Sequence, residues 1–220
     1  GHWGWASIYP NTAEIIHTRR INSRPAAAGR PFRCGCASTT STPLCAGVSE
    51  GRTMAAIALQ QVSSEFAKHN ARRTLDKPVA LRFLEPSLKP EDFEILKSES
   101  ENGGIYVWGA KLERFHQLDK ILPKRCLVMF RKGHRIYKCG VITHSIIDLN
   151  LAEKLWGTDS DGETWGWIWF FKRTRDISFT SAELNKIIGW KENNHWQGLV
   201  GLKGEAADTV IELVKQQLGL

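Results

Sequence analysis

The chain has 220 residues, 42% hydrophobic and 24% charged, which is ordinary for a globular protein and enough for one domain or a small domain with a tail. No run approaches the roughly 18 consecutive apolar residues of a spanning helix, so no membrane partner is expected. The formal charge is +7, but residues 1–53 hold six of the 30 basic and only two of the 23 acidic side chains, so overall charge does not by itself argue for nucleic acid.

Residues 1–53 are rich in Ala, Gly, Ser, Thr, Pro and Arg and show no sustained period of 2 or 3.6. They read as a disordered or non-native leader. The first methionine is Met54, which is expected to be the true start, with 1–53 being upstream sequence read through or a fragment boundary. The alternatives are an acid-poor transit peptide and a native disordered tail.

Residues 54–99 read as an N-terminal extension. MAAIALQQVSSEFAKHNARR predicts a helix with Ile57, Val62 and Phe66 as its apolar positions. PVALRFLEP alternates Val79, Leu81 and Phe83, which predicts a strand ended by Pro86. KPEDFEILKS predicts a short helix with Pro90 and acids in its first turn.

Residues 100–220 read as the main domain. GGIYVWGAK (103–111) predicts a strand and LERFHQLDKI a helix or turn. A hairpin follows, with strands over 126–131 and 135–143 around Lys132-Gly133-His134. DLNLAEKLWG predicts a short helix ending at Gly157, and ETWGWIWFFKR a strand. TSAELNKIIGW carries a capping box, Thr180 with Glu183, and Gly189 as its stop. WQGLVGLKG predicts a last strand. EAADTVIELVKQQLG predicts an amphipathic helix with Ala206, Val210, Ile211, Val214 and Leu218 on one stripe. Strands with interspersed short helices predict an α+β fold, a small mixed β-barrel flanked by short helices.

Motifs for catalysis are missing: there is no G-x-S-x-G, H-E-x-x-H or Walker-type loop, and no Asp or Glu followed two positions later by Lys. The chain reads as a non-enzyme. Cys34, Cys36 and Cys45 lack a fourth ligand nearby, and the seven histidines show no metal-ligand pairing, so neither metal nor cofactor is expected. Cys126 and Cys139 lie in apolar strand-like runs and read as buried free thiols in a reducing, cytoplasmic setting.

The tryptophans carry the most information. LWGTDSDGETWGWIWFFK (155–172) holds four of the chain's nine. Alternation puts Trp165, Trp167, Trp169 and Phe171 on one strand face and Gly166, Ile168 and Phe170 on the other. Both faces are apolar, so Trp167 and Trp169 read as core. Trp156, at the lip of a polar loop, and Trp108, before Gly109, read as candidate walls for a flat ligand, because an exposed indole costs free energy unless it packs or binds. Asp159 and Asp161 are candidates for cation binding, for solvated turn chemistry, or for accepting a hydrogen bond from an exocyclic amine.

GIYVWGAK, then CLVMFRKGHRIYKCGVIT, then KLWGTDSDGETWGWIWFFKRTRDI resembles the YTH/EVE branch of the PUA-like superfamily, over about residues 100–203. The layout is also similar to the modified-DNA reader domains of methylation-dependent restriction systems. Trp108 matches the first cage tryptophan of YTH domains and Trp156 the second. Trp165 is a candidate third wall, and Trp167-Ile168 matches the structural strand. Ala110-Lys111 departs from the Ser-Thr of YTH domains. The resemblance implies a PUA-like reader of a modified, methylated base such as N6-methyladenine, in DNA or RNA, serving a separate effector protein. The base would insert between Trp108 and Trp156. The ligand-binding set so implied is Trp108, Trp156, Trp165, Tyr106, Asn150, Asp159 and Asp161. Lys111, Arg114, Lys172, Arg173 and Arg175 would hold phosphates. The competing expectation is an interaction or structural module whose tryptophans are all core.

Overall fold

Seven strands form one mixed sheet in a computed structural model that describes residues 56–120, 122 and 125–219. They are β1 (Ala56–Gln61), β2 (Val79–Ala80), β3 (Gly104–Ala110), β4 (Leu127–Lys132), β5 (Arg135–Ile147), β6 (Trp167–Thr180) and β7 (Leu199–Lys203), in the order β2-β3-β6-β5-β4-β1-β7. All neighbours are antiparallel except β1 and β4. The helices are α1 (Glu65–Asn70), continued by a π-helical turn (Ala71–Leu75), α2 (Leu81–Leu84), α3 (Pro90–Glu99), α4 (Leu112–Leu118), α5 (Leu149–Trp156), α6 (Ser181–Ile187) and α7 (Glu205–Leu218).

The sheet curls but does not close. β3 and β4 are three strands apart, about 14 Å in a flat sheet, yet the rings of Trp108 and Phe130 meet edge-on at 5.7 Å. Register shifts between β5 and β6 bend this longest pair. The expected closed barrel is not formed, because β2 and β7 are the two ends of the order and do not pair with each other. With a two-residue β2 at one edge, too little ladder is available there to complete a ring.

Strand alternation sorts the core into three clusters. The concave face gathers Ala58, Trp108, Phe130, Trp167, Trp169 and Phe171 beneath Ala67, Ala71 and Leu75 of the first helical segment. The convex face is covered in two places. One end packs Ile57, Met129 and Ile177 against α6 and α7. The other packs Ile105, Val107, Ile168 and Phe170 against Leu84, Leu96, Leu151 and Leu155. The alternation expected for Trp167 through Phe171 is the one observed.

Two expected elements are different. The predicted helix from Met54 is replaced over Ala56–Gln61 by β1, which is hydrogen-bonded between β4 and β7. Its residues are buried on both faces, so they show no alternation and a short apolar run of this kind does not reveal its period. The predicted strand through Phe83 ends at Ala80 and becomes α2, leaving Phe83 51% exposed. Residues expected as an extension thus supply β1 and β2 of the sheet. The capping box of α6 forms as expected, Thr180 accepting from the Glu183 amide while Glu183 accepts from Thr180. Residues 1–53, with Cys34, Cys36, Cys45 and the proposed start at Met54, lie outside the described residues. No helix among the described residues is long and apolar enough to cross a membrane.

Candidate functional site

α5 ends where its sequence says it should. Asp148 caps its N-terminus by accepting from the Leu151 amide, and Gly157 stops it at φ +74°, a conformation other residues rarely adopt. This stop leaves Trp156 on the last turn, where its indole N–H donates to Thr74 Oγ1 at 3.1 Å. Trp156 is only 4% exposed and Trp108 is fully buried.

The two expected cage walls do not face one another across an open slot. Trp108 belongs to the concave-face cluster and Trp156 to a convex-face cluster. The next residue after Trp108, Gly109, faces the other way, and a Cβ there would lie 2.7 Å from the Trp156 ring and 2.9 Å from Trp165 Cβ. Trp165 packs against both indoles, with ring centroids 4.7 Å from Trp108 and 5.3 Å from Trp156, and Phe66 meets it edge-on at 5.1 Å. Trp165 and Phe66 are the half-buried members of this group. The indole N–H of Trp108 and the hydroxyl of Thr164 are buried with no hydrogen-bond partner among the described residues. Tyr106 shares the concave face with Trp108 and is half-buried.

A cleft of about 410 Å³ opens beside the acidic loop, lined by Lys111, Leu112, Leu149, Glu153, Glu163 and Thr164 among others. Asp159 organises that loop. Its Oδ1 accepts from the amides of Asp161 and Glu163, and its Oδ2 pairs with Lys111 at 3.1 Å. Lys111 also binds Glu163. Partial burial opposes ionisation of Asp159, but the Glu163 amide, Lys111 and the Asp161 amide together hold its carboxyl below the usual carboxylate range. Hydrogen bonding to Glu163 raises the Lys111 ammonium. Asp161 is exposed in the loop, and Asn150 is exposed beside cleft-lining Leu149.

The five expected phosphate ligands are not equivalent. Lys111 is taken up by Asp159 and Glu163, and Arg173 by Glu101. Arg114 bonds Gln117 and lies 4.0 Å from the Glu113 carboxylate. Lys172 and Arg175 are exposed and make no ion pair among the described residues. No group of three or more His, Cys, Asp or Glu among the described residues is placed to hold a metal ion.

No family model matches the chain, and no curated protein matches it. Among solved structures, the N-terminal domain of Thermococcus gammatolerans McrB bound to m5C DNA matches with a TM-score of 0.56 at 17% sequence identity, covering 73% of this chain and 97% of that domain. The chain has the fold of that domain.

Phe66 and Thr74 were missed as site residues. Phe66 was legible as an apolar helix position, but nothing in the sequence joined it to Trp165. Thr74 carried no signal, because its acceptor role depends on a partner 82 residues away.

Proposed function

We propose that this chain is a non-catalytic reader that binds DNA by recognising a modified, methylated base. The observation that carries this reading is its fold, shared with a domain seen bound to m5C DNA. The site supports it chemically. Trp165 is a half-buried indole backed by two buried ones and stands next to Thr164 on the cleft wall. A flipped base stacking on Trp165 would gain the aromatic contact that single-stranded readers use. Glu153 and Glu163 in the cleft can accept from an exocyclic amine, and Asn150, Asp159 and Asp161 are close at hand on the same loop and helix. The Thr164 hydroxyl, which lines the cleft and has no hydrogen-bond partner among the described residues, is a donor that a bound base would satisfy.

One observation favours a second reading, that the chain is an interaction module whose tryptophans are core: Trp108 and Trp156 are both buried. Titration of intrinsic fluorescence with duplexes carrying 5-methylcytosine, N6-methyladenine or no modification separates the two. The reader reading expects quenching that is stronger for a methylated duplex, and its loss in Trp165→Ala at a temperature where circular dichroism shows that variant still folded. Absence of quenching and of binding with every duplex sinks it in favour of the second reading.

A further inference from the structure

A second hollow, of about 360 Å³, shares no lining residue with the cleft. It forms where the β4–β5 turn and the loop before β7 meet the start of α6, and His134, Thr180, Ser181, Glu192, Asn193 and His195 are in its wall. α6 anchors the main chain of both histidine-bearing segments. The Ser181 amide donates to the His134 carbonyl at 2.8 Å, which fixes the turn that Gly133 makes at φ +60°. Asn185 is fully buried, and its Nδ2 donates to the carbonyls of Glu192 and Asn194 at 3.1 and 2.8 Å. Asparagine is a poor helix former, and here its amide pins the loop that carries His195. On the other side of His195, the buried Trp196 offers its carbonyl to Arg131 at 2.6 Å. The two imidazoles are exposed, with ring centroids 5.7 Å apart and planes at 59°. Ser181 is 4% exposed, and its hydroxyl is buried with no hydrogen-bond partner among the described residues.

We propose that His134 and His195 together bind a divalent transition-metal ion of the zinc type. Two imidazoles on one tetrahedral ion, with nitrogen–metal bonds of about 2.0–2.1 Å, set their ring centres roughly 5 Å apart. The exposed side chains reach that spacing from 5.7 Å by a small rotation. No group of three or more His, Cys, Asp or Glu among the described residues is placed to hold the ion, so its other positions fall to water or to an outside donor. The Ser181 hydroxyl in the same wall is free to hydrogen-bond such a water. Coordination rather than net charge holds the ion, because Lys132 and Arg135 flank His134 and Glu192 is the one carboxylate in the lining. That selects Zn²⁺, which takes nitrogen ligands, over Mg²⁺ or Ca²⁺, which need oxygen. The bound ion ties the β4–β5 turn to the loop before β7. None of this depends on the reader reading above.

The test is an NMR titration of the full chain with ZnCl₂ that follows the imidazole ring signals, which separates these two histidines from any other zinc ligand in the chain. His134→Ala and His195→Ala assign the signals. Both remove exposed side chains and keep the main-chain bonds that anchor the two segments. In the wild-type chain both rings are expected to shift along one common curve with ZnCl₂, and neither with MgCl₂. In each variant the remaining ring is expected to respond only at about a hundredfold higher zinc, because the second ligand no longer adds as an intramolecular step. A curve for one ring that is unchanged by loss of the other overturns the proposal. So do rings that ZnCl₂ leaves unmoved, or that MgCl₂ shifts equally.

Discussion

The indole N–H of Trp156 is hydrogen-bonded to the hydroxyl of Thr74, so the last turn of α5 is fastened to the π-helical turn after α1. Both residues are buried, at 4% and 3% exposure. Replacing Thr74 by Val keeps the shape and removes the acceptor. The indole N–H is then buried without a partner, which costs about 1–3 kcal/mol. Urea denaturation is expected to show that loss in Thr74→Val. An unchanged midpoint means that the bond contributes nothing to stability.

Gly109 gives a second test of the aromatic group. A methyl there collides with the rings of Trp156 and with Trp165 Cβ, at separations real side chains almost never show. The rings belong to a packed cluster and cannot simply swing aside. Gly109→Ala is expected to lose about 1–3 kcal/mol by overpacking, with a shift in tryptophan emission as Trp165 moves toward solvent. A wild-type melt and spectrum would show that the indoles are looser than their contacts imply.

The acidic loop responds to pH at both ends. The depressed Asp159 carboxyl contributes stability above its unfolded pKa, and this is lost as pH falls through the folded value. The raised Lys111 ammonium contributes below its unfolded pKa, and this is lost as pH rises through the folded value. The loop is therefore expected to stay closed across neutral pH and to loosen at the acid and alkaline extremes. Amide shifts of Asp161 and Glu163, followed by NMR, should titrate with a midpoint below that of an ordinary aspartate. A midpoint in the ordinary range removes Asp159 as the loop's anchor.

The two described thiols should be inert in the folded chain. Burial pushes Cys126 up to about 12 and Cys139 up to about 11, which suppresses the reactive thiolate at neutral pH. Iodoacetamide at pH 7.5 is expected to leave both unmodified until urea is added, as read by peptide mass spectrometry. Labelling of either in the native protein contradicts its burial.

Much of the fold was legible because local rules decided it. The hairpin, the α5 stop at Gly157, the α6 capping box and the period of α7 all rest on residues within a few positions of one another. β1 was not legible, since a strand buried on both faces has no pattern to separate it from a helix. Nor was the open sheet, because closure depends on whether β2 and β7 meet. The site divides in the same way. Trp156 at a loop lip was readable from Gly157. Its burial was not, because Thr74 and Phe66 come from the opposite side of the chain and close over the indoles. Ion pairs chose among the basic residues by the same long-range logic, taking Lys111 and Arg173 and leaving Lys172 and Arg175.

The position of β1 constrains the order in which this protein assembles. Gln60 pairs with Leu199, and β1 also lies parallel to β4, so its ladders join segments distant in sequence. Such pairings carry a large loop-closure cost and slow folding. On the ribosome, the AIALQQ segment waits without its β7 neighbour until Leu199–Lys203 has been made. That delay leaves a β-prone edge unpaired until β7 arrives.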